Sequence, residues 1–66
     1  MITKEQLNSI DYVSKDETEY MNPCDWDYLF NIKTQELWSL SDGLNEPEFL
    51  CRVTNFEKLK DLLNII

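Results

Sequence analysis

The sequence predicts a single α+β domain: a short N-terminal helix, a small antiparallel sheet, and a C-terminal amphipathic helix packed on that sheet. Three observations support this fold class. Helix-start motifs stand near both ends of the chain, an alternating apolar and polar run lies in the middle, and turn-forming residues separate the segments. With 66 residues, the chain is long enough for one domain over residues 1–66 and no more.

The first helix is predicted near residues 4–10. Thr3 and Gln6 stand in the positions of a capping box, in which each side chain bonds to the backbone of the other residue. Ile2 and Leu7 occupy the positions of a hydrophobic staple. Because so short a helix is not stable alone, we expect it to pack against the rest of the domain.

The middle of the chain predicts a three-stranded antiparallel meander. Residues 25–32 alternate in the manner of a half-buried strand, with Trp26, Tyr28, Phe30 and Ile32 on the inner side. Residues 36–40 return as the second strand. Residues 48–53 form the third, with Phe49, Cys51 and Val53 on one side. A further short strand or hairpin arm is expected within residues 11–24, so the sheet has three or four strands.

The second helix is predicted at the C-terminal end. Thr54 and Glu57 stand in the positions of another capping box. The residues that follow carry one apolar side at helical spacing, formed by Phe56, Leu59, Leu62, Leu63 and Ile66. We expect this side to lie across the sheet.

The composition argues against catalytic and metal sites. Histidine is absent, and the two cysteines, Cys24 and Cys51, are too few and too far apart in sequence for a structural zinc site. The single glycine rules out a glycine-rich phosphate loop. Paired carboxylates occur only where solvent is expected, so no catalytic residue, cofactor or metal is predicted. An enzyme or ligand carrier is the least supported class.

Charge and the lack of apolar segments restrict the partners. The formal net charge is −7, from thirteen acidic and six basic residues. Such a chain repels phosphate backbones and anionic lipids, so we expect neither direct nucleic-acid binding nor membrane docking. No signal peptide or membrane span is recognisable, which indicates a cytoplasmic protein with reduced cysteines. The electrostatically favoured partner is a protein with a basic surface.

The acidic charge is concentrated in one segment. Residues 11–31 contain six acidic residues and one basic residue, Lys15. Carboxylates held on a rigid sheet can take the place of phosphates in a basic groove. This segment therefore supplies a candidate partner-binding surface, formed by Asp16, Glu17, Glu19, Asp25 and Asp27. The alternative is a solvated acidic edge that prevents sheets from aggregating.

A second candidate surface is apolar. If the aromatic residues of the first strand point inward, then Leu29, Leu37 and Leu50 point outward, one from each strand. Either the N-terminal helix covers this face through Leu7 and Ile10, or the face binds a partner or a second copy of the chain.

These observations favour a non-enzymatic protein-interaction module. Its most specific form is an acidic inhibitor or decoy, of the kind that phages and other mobile elements encode. Such a protein would occupy the basic surface of a nucleic-acid-handling protein. The alternative is a small structural or assembly subunit, monomeric or homodimeric, which pairs through a sheet edge or through the Leu29, Leu37 and Leu50 face.

Overall fold

The computed structural model describes residues 1–40 and 47–64, except for the side chains of Asp25 and Trp26. Along the chain, four strands lie between two helices: α1 (Lys4–Ser9), β1 (Glu19–Asn22), β2 (Asp25–Asn31), β3 (Glu36–Ser39), β4 (Glu48–Arg52) and α2 (Phe56–Leu62). The strands form one antiparallel sheet in the order β1-β2-β3-β4. The α+β class is confirmed, and β1 is the strand expected within residues 11–24.

The N-terminal helix begins as its sequence motif predicts. The Thr3 hydroxyl accepts from the Gln6 amide at 3.3 Å, and the Gln6 side chain accepts from the Thr3 amide at 3.0 Å. Both staple residues, Ile2 and Leu7, are buried in the core. In the described part of the chain, no helix has the length and apolar character needed to cross a membrane.

Strand register decides which side chains share a face of the sheet. Tyr20 lies opposite Phe30, Phe30 opposite Leu37, and Leu37 opposite Cys51. This face packs against both helices in one cluster of buried residues: Ile2, Leu7, Tyr12, Tyr20, Phe30, Leu37, Val53 and Leu59. Both helices therefore cover the same face, which we call the core face.

The expected face of three leucines is wrong. Leu37 lies opposite Phe30 and is only 1% exposed, so it belongs to the core face. Leu29 pairs with Trp38 across the strands, and both residues lie on the face of the sheet opposite the core face. The N-terminal helix does not cover Leu29 either, because Leu7 and Ile10 pack with the core cluster. The pairing register between strands caused the error, since alternation within one strand does not reveal it.

A β-bulge changes the side on which Phe49 lies. Cys51 pairs with Leu37, but Trp38 pairs with Phe49, so Leu50 is an extra residue on β4. The extra residue puts Phe49 on the opposite side of the sheet from Cys51. The prediction that Phe49, Cys51 and Val53 share one side is therefore wrong for Phe49.

The C-terminal helix starts one residue later than predicted. Its N-cap is Asn55, whose side chain accepts from the Lys58 amide at 3.0 Å. Leu59 is fully buried, and Phe56 and Leu63 pack against the core cluster. Leu62 is an exposed residue of this helix, contrary to the predicted apolar side, and Ile66 lies outside the described residues.

Candidate interaction surface

The face of the sheet opposite the two helices carries an apolar row. Leu29, Trp38 and Phe49 stand side by side on β2, β3 and β4. The Trp38 and Phe49 rings meet edge to face, with centroids 5.4 Å apart. Leu29, on the interior strand β2, is only 8% exposed, whereas Phe49, on the edge strand β4, is 48% exposed. We call these three residues the apolar row, and this side of the sheet the second face.

Charged residues flank the apolar row. On one side, the cross-strand register aligns Glu19, Asn31, Glu36 and Arg52. On the other side, Asp27 precedes Leu29 by two positions on β2, which places it on the same face, about 7 Å along the strand. Among the side chains that the structure describes, the second face therefore combines aromatic rings with three carboxylates and one guanidinium group.

The acidic residues chosen from sequence are divided between two places. Asp16 and Glu17 lie in the loop before β1, whereas Glu19 and Asp27 lie on the second face. Glu19 is opposite Asn31, which is four residues along β2 from Asp27, so the backbone positions of the two acids are about 14 Å apart. Asp25 belongs to β2, and its side chain is outside the described part. These acids form no compact row among the residues that are described.

Asp16 has a structural role within its loop. Its Oδ1 accepts hydrogen bonds from the Thr18 amide at 2.9 Å, the Glu19 amide at 3.1 Å and the Ser14 hydroxyl at 2.9 Å. These hydrogen bonds lower the pKa of Asp16 to about 2; the bond from Glu19 has the largest effect, followed by those from Thr18 and Ser14. The carboxylate therefore stays ionised, and it is committed to shaping the loop.

The same loop closes the outer edge of β1. Val13 and Met21 exchange two backbone hydrogen bonds, each of 2.9 Å. The Asp16 carboxylate accepts a hydrogen bond from the backbone amide of Glu19, at the start of β1. An edge strand normally leaves such groups unpaired, but here a single bridging residue and one carboxylate satisfy them. Glu17, the next residue, is exposed and forms an ion pair with Lys4 at 3.5 Å.

A groove of about 450 Å³ runs beside this closed edge. Its walls are residues 13–16, Glu19 and residues 21–23. Two of the predicted acids, Asp16 and Glu19, line it together with the basic Lys15. The charge of the groove is therefore mixed, in contrast to the mainly acidic second face.

Sequence reasoning missed the aromatic part of the second face. Trp38 was not assigned to a surface, and Phe49 was assigned to the wrong side. The three successive apolar residues Phe49, Leu50 and Cys51 interrupt strict alternation and are the one sequence signal of the bulge. Glu36, which pairs with both Asn31 and Arg52, was missed because its partners depend on register.

Both cysteines are free thiols: Cys24 is exposed in the turn after β1, and Cys51 is partly buried against the core. Within residues 1–40 and 47–64, no group of three or more potential metal ligands was found.

Comparison with protein-family models, with curated proteins and with solved structures gave no match.

Proposed function

We propose that this protein is a non-enzymatic interaction module that binds a basic surface of a nucleic-acid-handling protein through its second face. Occupation of that surface would exclude nucleic acid, so the protein would act as an inhibitor or decoy. The proposal includes a cytoplasmic location, where such partners act.

One observation carries the proposal: the apolar row lies beside carboxylates on the same face of the sheet. Trp38 and Phe49 supply large, stiff apolar surfaces of the kind that dominate binding energy at protein interfaces. The exposed position of Phe49 makes it available to a partner. A sheet face with such anchors suits contact with another protein surface.

Charge supports a basic partner. Glu19, Asp27 and Glu36 share the face with one cation, Arg52. The whole chain has a net charge of −7, so its long-range field attracts a basic protein and repels nucleic acid. The apolar row would supply affinity, and the carboxylates would supply orientation and a fast association rate.

Asp16 and Glu17 contribute less directly to this proposal than their charge alone indicates. The Asp16 carboxylate holds its own loop together, and Glu17 is paired with Lys4. They strengthen the overall field, but the contacting acids are those of the second face. An experiment that reverses Asp16 would confuse loss of structure with loss of binding.

The test compares two variants that remove three negative charges each. The first neutralises the second face, with Glu19→Gln, Asp27→Asn and Glu36→Gln. The control neutralises exposed acids of the helices, with Glu5→Gln, Glu57→Gln and Asp61→Asn. Each bait is immobilised and exposed to a set of purified DNA- and RNA-binding proteins at increasing salt, with duplex DNA as competitor.

We expect a captured protein to bind the wild type and the helix control equally, and to release the second-face variant. Duplex DNA should compete for the same protein, and Trp38→Ser should weaken capture without removing any charge. Equal loss of capture by both charge variants would mean that net charge alone is responsible, and would contradict the proposal. So would a captured protein that binds DNA and the bait together.

A further inference from the structure

The groove beside β1 has an apolar wall. Val13 and Met21 both line it, and their backbones bond each other in both directions, which sets the two side chains next to each other. Val13 is 51% exposed, so this wall is open to solvent. The groove volume of about 450 Å³ is typical of sites that bind small ligands. It therefore has room for one long side chain, which could lie against Val13 and Met21.

The groove also carries a carboxylate that the chain does not neutralise. Glu19 is exposed and lines the groove. Among residues 1–40 and 47–64 it forms no ion pair, although Lys15 lines the same groove. The Asp16 carboxylate, which accepts the Glu19 amide, adds a second negative charge. Two acids therefore face one base, and the charge of Glu19 is available to a cation from outside.

An apolar wall beside such a carboxylate fits a side chain that has an apolar stem and a cationic head. Lysine and arginine both lay their methylene stems along apolar surface and keep the charged group at the polar end. The guanidinium group of arginine is the more weakly hydrated of the two cations, and it can donate two parallel N–H bonds to one carboxylate. The chemistry of the groove therefore favours arginine.

We propose that this groove takes an arginine side chain, with the methylene stem against Val13 and Met21 and the guanidinium group on Glu19. Glu19 also belongs to the second face, so the groove lies beside that face. A partner bound to the second face would place an arginine of its basic surface in the groove. The identity of that partner rests on the proposed function, whereas the groove belongs to this chain alone.

The test is an NMR titration with the Nα-acetylated amides of arginine, lysine and citrulline. Citrulline has the shape of arginine without its charge. The methyl signals of Val13 and Met21 report on the groove, and those of Val53 and Met1, which do not line it, are internal references. We expect the arginine amide to shift the groove signals and to bind about threefold more tightly than the citrulline amide, as an exposed ion pair allows. The lysine amide should bind more weakly than the arginine amide.

Three single variants identify the charges that matter. Glu19→Gln should weaken arginine binding by about threefold, and Lys15→Gln should strengthen it because a competing cation is removed. The matched control is Glu17→Gln, which removes the same charge from an exposed acid of the same loop that does not line the groove. This control should bind the arginine amide nearly as the wild type does.

Several results would overturn the proposal. These are equal binding of the arginine and citrulline amides, equal weakening by Glu17→Gln and Glu19→Gln, and an absence of methyl shifts at tens of millimolar arginine amide. Equal binding of the lysine amide would overturn the choice of arginine as the occupant.

The groove and the proposed function can fail separately. A domain that binds the arginine amide but captures no basic protein would retain the groove and contradict the proposed function. A domain that captures such a protein through the second face, but does not bind the arginine amide, would retain the proposed function and contradict the role of the groove.

Discussion

The side-chain amide of Gln35 is hydrogen-bonded to both backbone groups of Ile2. The Ile2 amide donates to Gln35 Oε1 at 2.7 Å, and Gln35 Nε2 donates to the Ile2 carbonyl at 3.2 Å. Gln35 Nε2 also donates to the Ile32 carbonyl at 2.8 Å, within the turn between β2 and β3. A buried glutamine therefore fastens the start of the chain to that turn, 33 residues away in sequence.

Loss of this amide should destabilise the domain. Gln35→Ala leaves the buried Ile2 backbone groups without partners, and we expect it to lower the free energy of unfolding by about 1–3 kcal/mol. Urea denaturation followed by circular dichroism measures the change. Lys33→Ala, in the same turn but exposed, should stay within about 0.5 kcal/mol of wild type.

Gln35 has a positive φ of 59°, which glycine adopts at lower cost. Gln35→Gly therefore separates the two properties of the residue. If Gln35→Gly were as stable as wild type or more stable, backbone strain would outweigh the amide bonds and the role given to Gln35 would be wrong.

The two leucines that sequence placed on one face should respond differently to truncation. Leu37→Ala creates a cavity beside Phe30 and should cost about 2–5 kcal/mol of unfolding free energy. Leu50→Ala removes a side chain that is 44% exposed and should cost under about 1 kcal/mol. Both are measured by urea denaturation at low concentration, which keeps any self-association out of the comparison. Equal costs would contradict the register of β3.

The loop before β1 should contribute less to the stability of the fold at acidic pH. Folding lowers the pKa of Asp16 from 3.8 to about 2 through the amides of Glu19 and Thr18 and the Ser14 hydroxyl. A carboxylate whose pKa is lowered by folding stabilises the fold at pH values above the pKa that it has in the unfolded chain. This contribution is lost as the pH falls toward about 2.

Comparison of Asp16→Ala with wild type isolates that contribution. The difference in unfolding free energy should be largest at and above pH 4, and should shrink as the pH falls from about 4 to about 2. Urea denaturation at fixed ionic strength over this range measures it. The same charge change at Asp61, exposed on α2, provides the control. A difference that grows as the pH falls would show that the sign is wrong.

The second helix should depend on Asn55 rather than on Thr54. Asn55 accepts the Lys58 amide, so Asn55→Ala should cost about 1 kcal/mol of unfolding free energy. Thr54→Ala, one residue earlier and exposed, should cost less than about 0.5 kcal/mol. The reverse order in thermal or urea denaturation would restore the capping box predicted from sequence.

Local features of the fold were predictable because they depend on neighbouring residues. The Thr3 and Gln6 capping box and the alternation along β2 involve contacts within a few positions. The same reasoning failed by one residue at α2, where Asn55 and Thr54 are both good caps and adjacent in sequence. Backbone geometry selected one of them.

The candidate site was only partly predictable. Its acidic character follows from composition, but the side chains that share the second face depend on how neighbouring strands align. Leu37 pairs with Phe30, and the extra residue Leu50 puts Phe49 beside Trp38. A shift of one residue moves a whole strand's side chains to the other face, so alternation by itself could not assign these residues.

The sequence by itself determined the fold class, the helix positions to within about a residue or two, and the acidic charge. These are properties of composition and of short segments. Tertiary structure alone decided that both helices cover one face, that Asp16 closes the β1 edge, and that Phe49 and Leu50 remain exposed on β4. The physical reason is that strand register and edge pairing arise from contacts between segments distant in sequence, which alternation within one strand does not reveal.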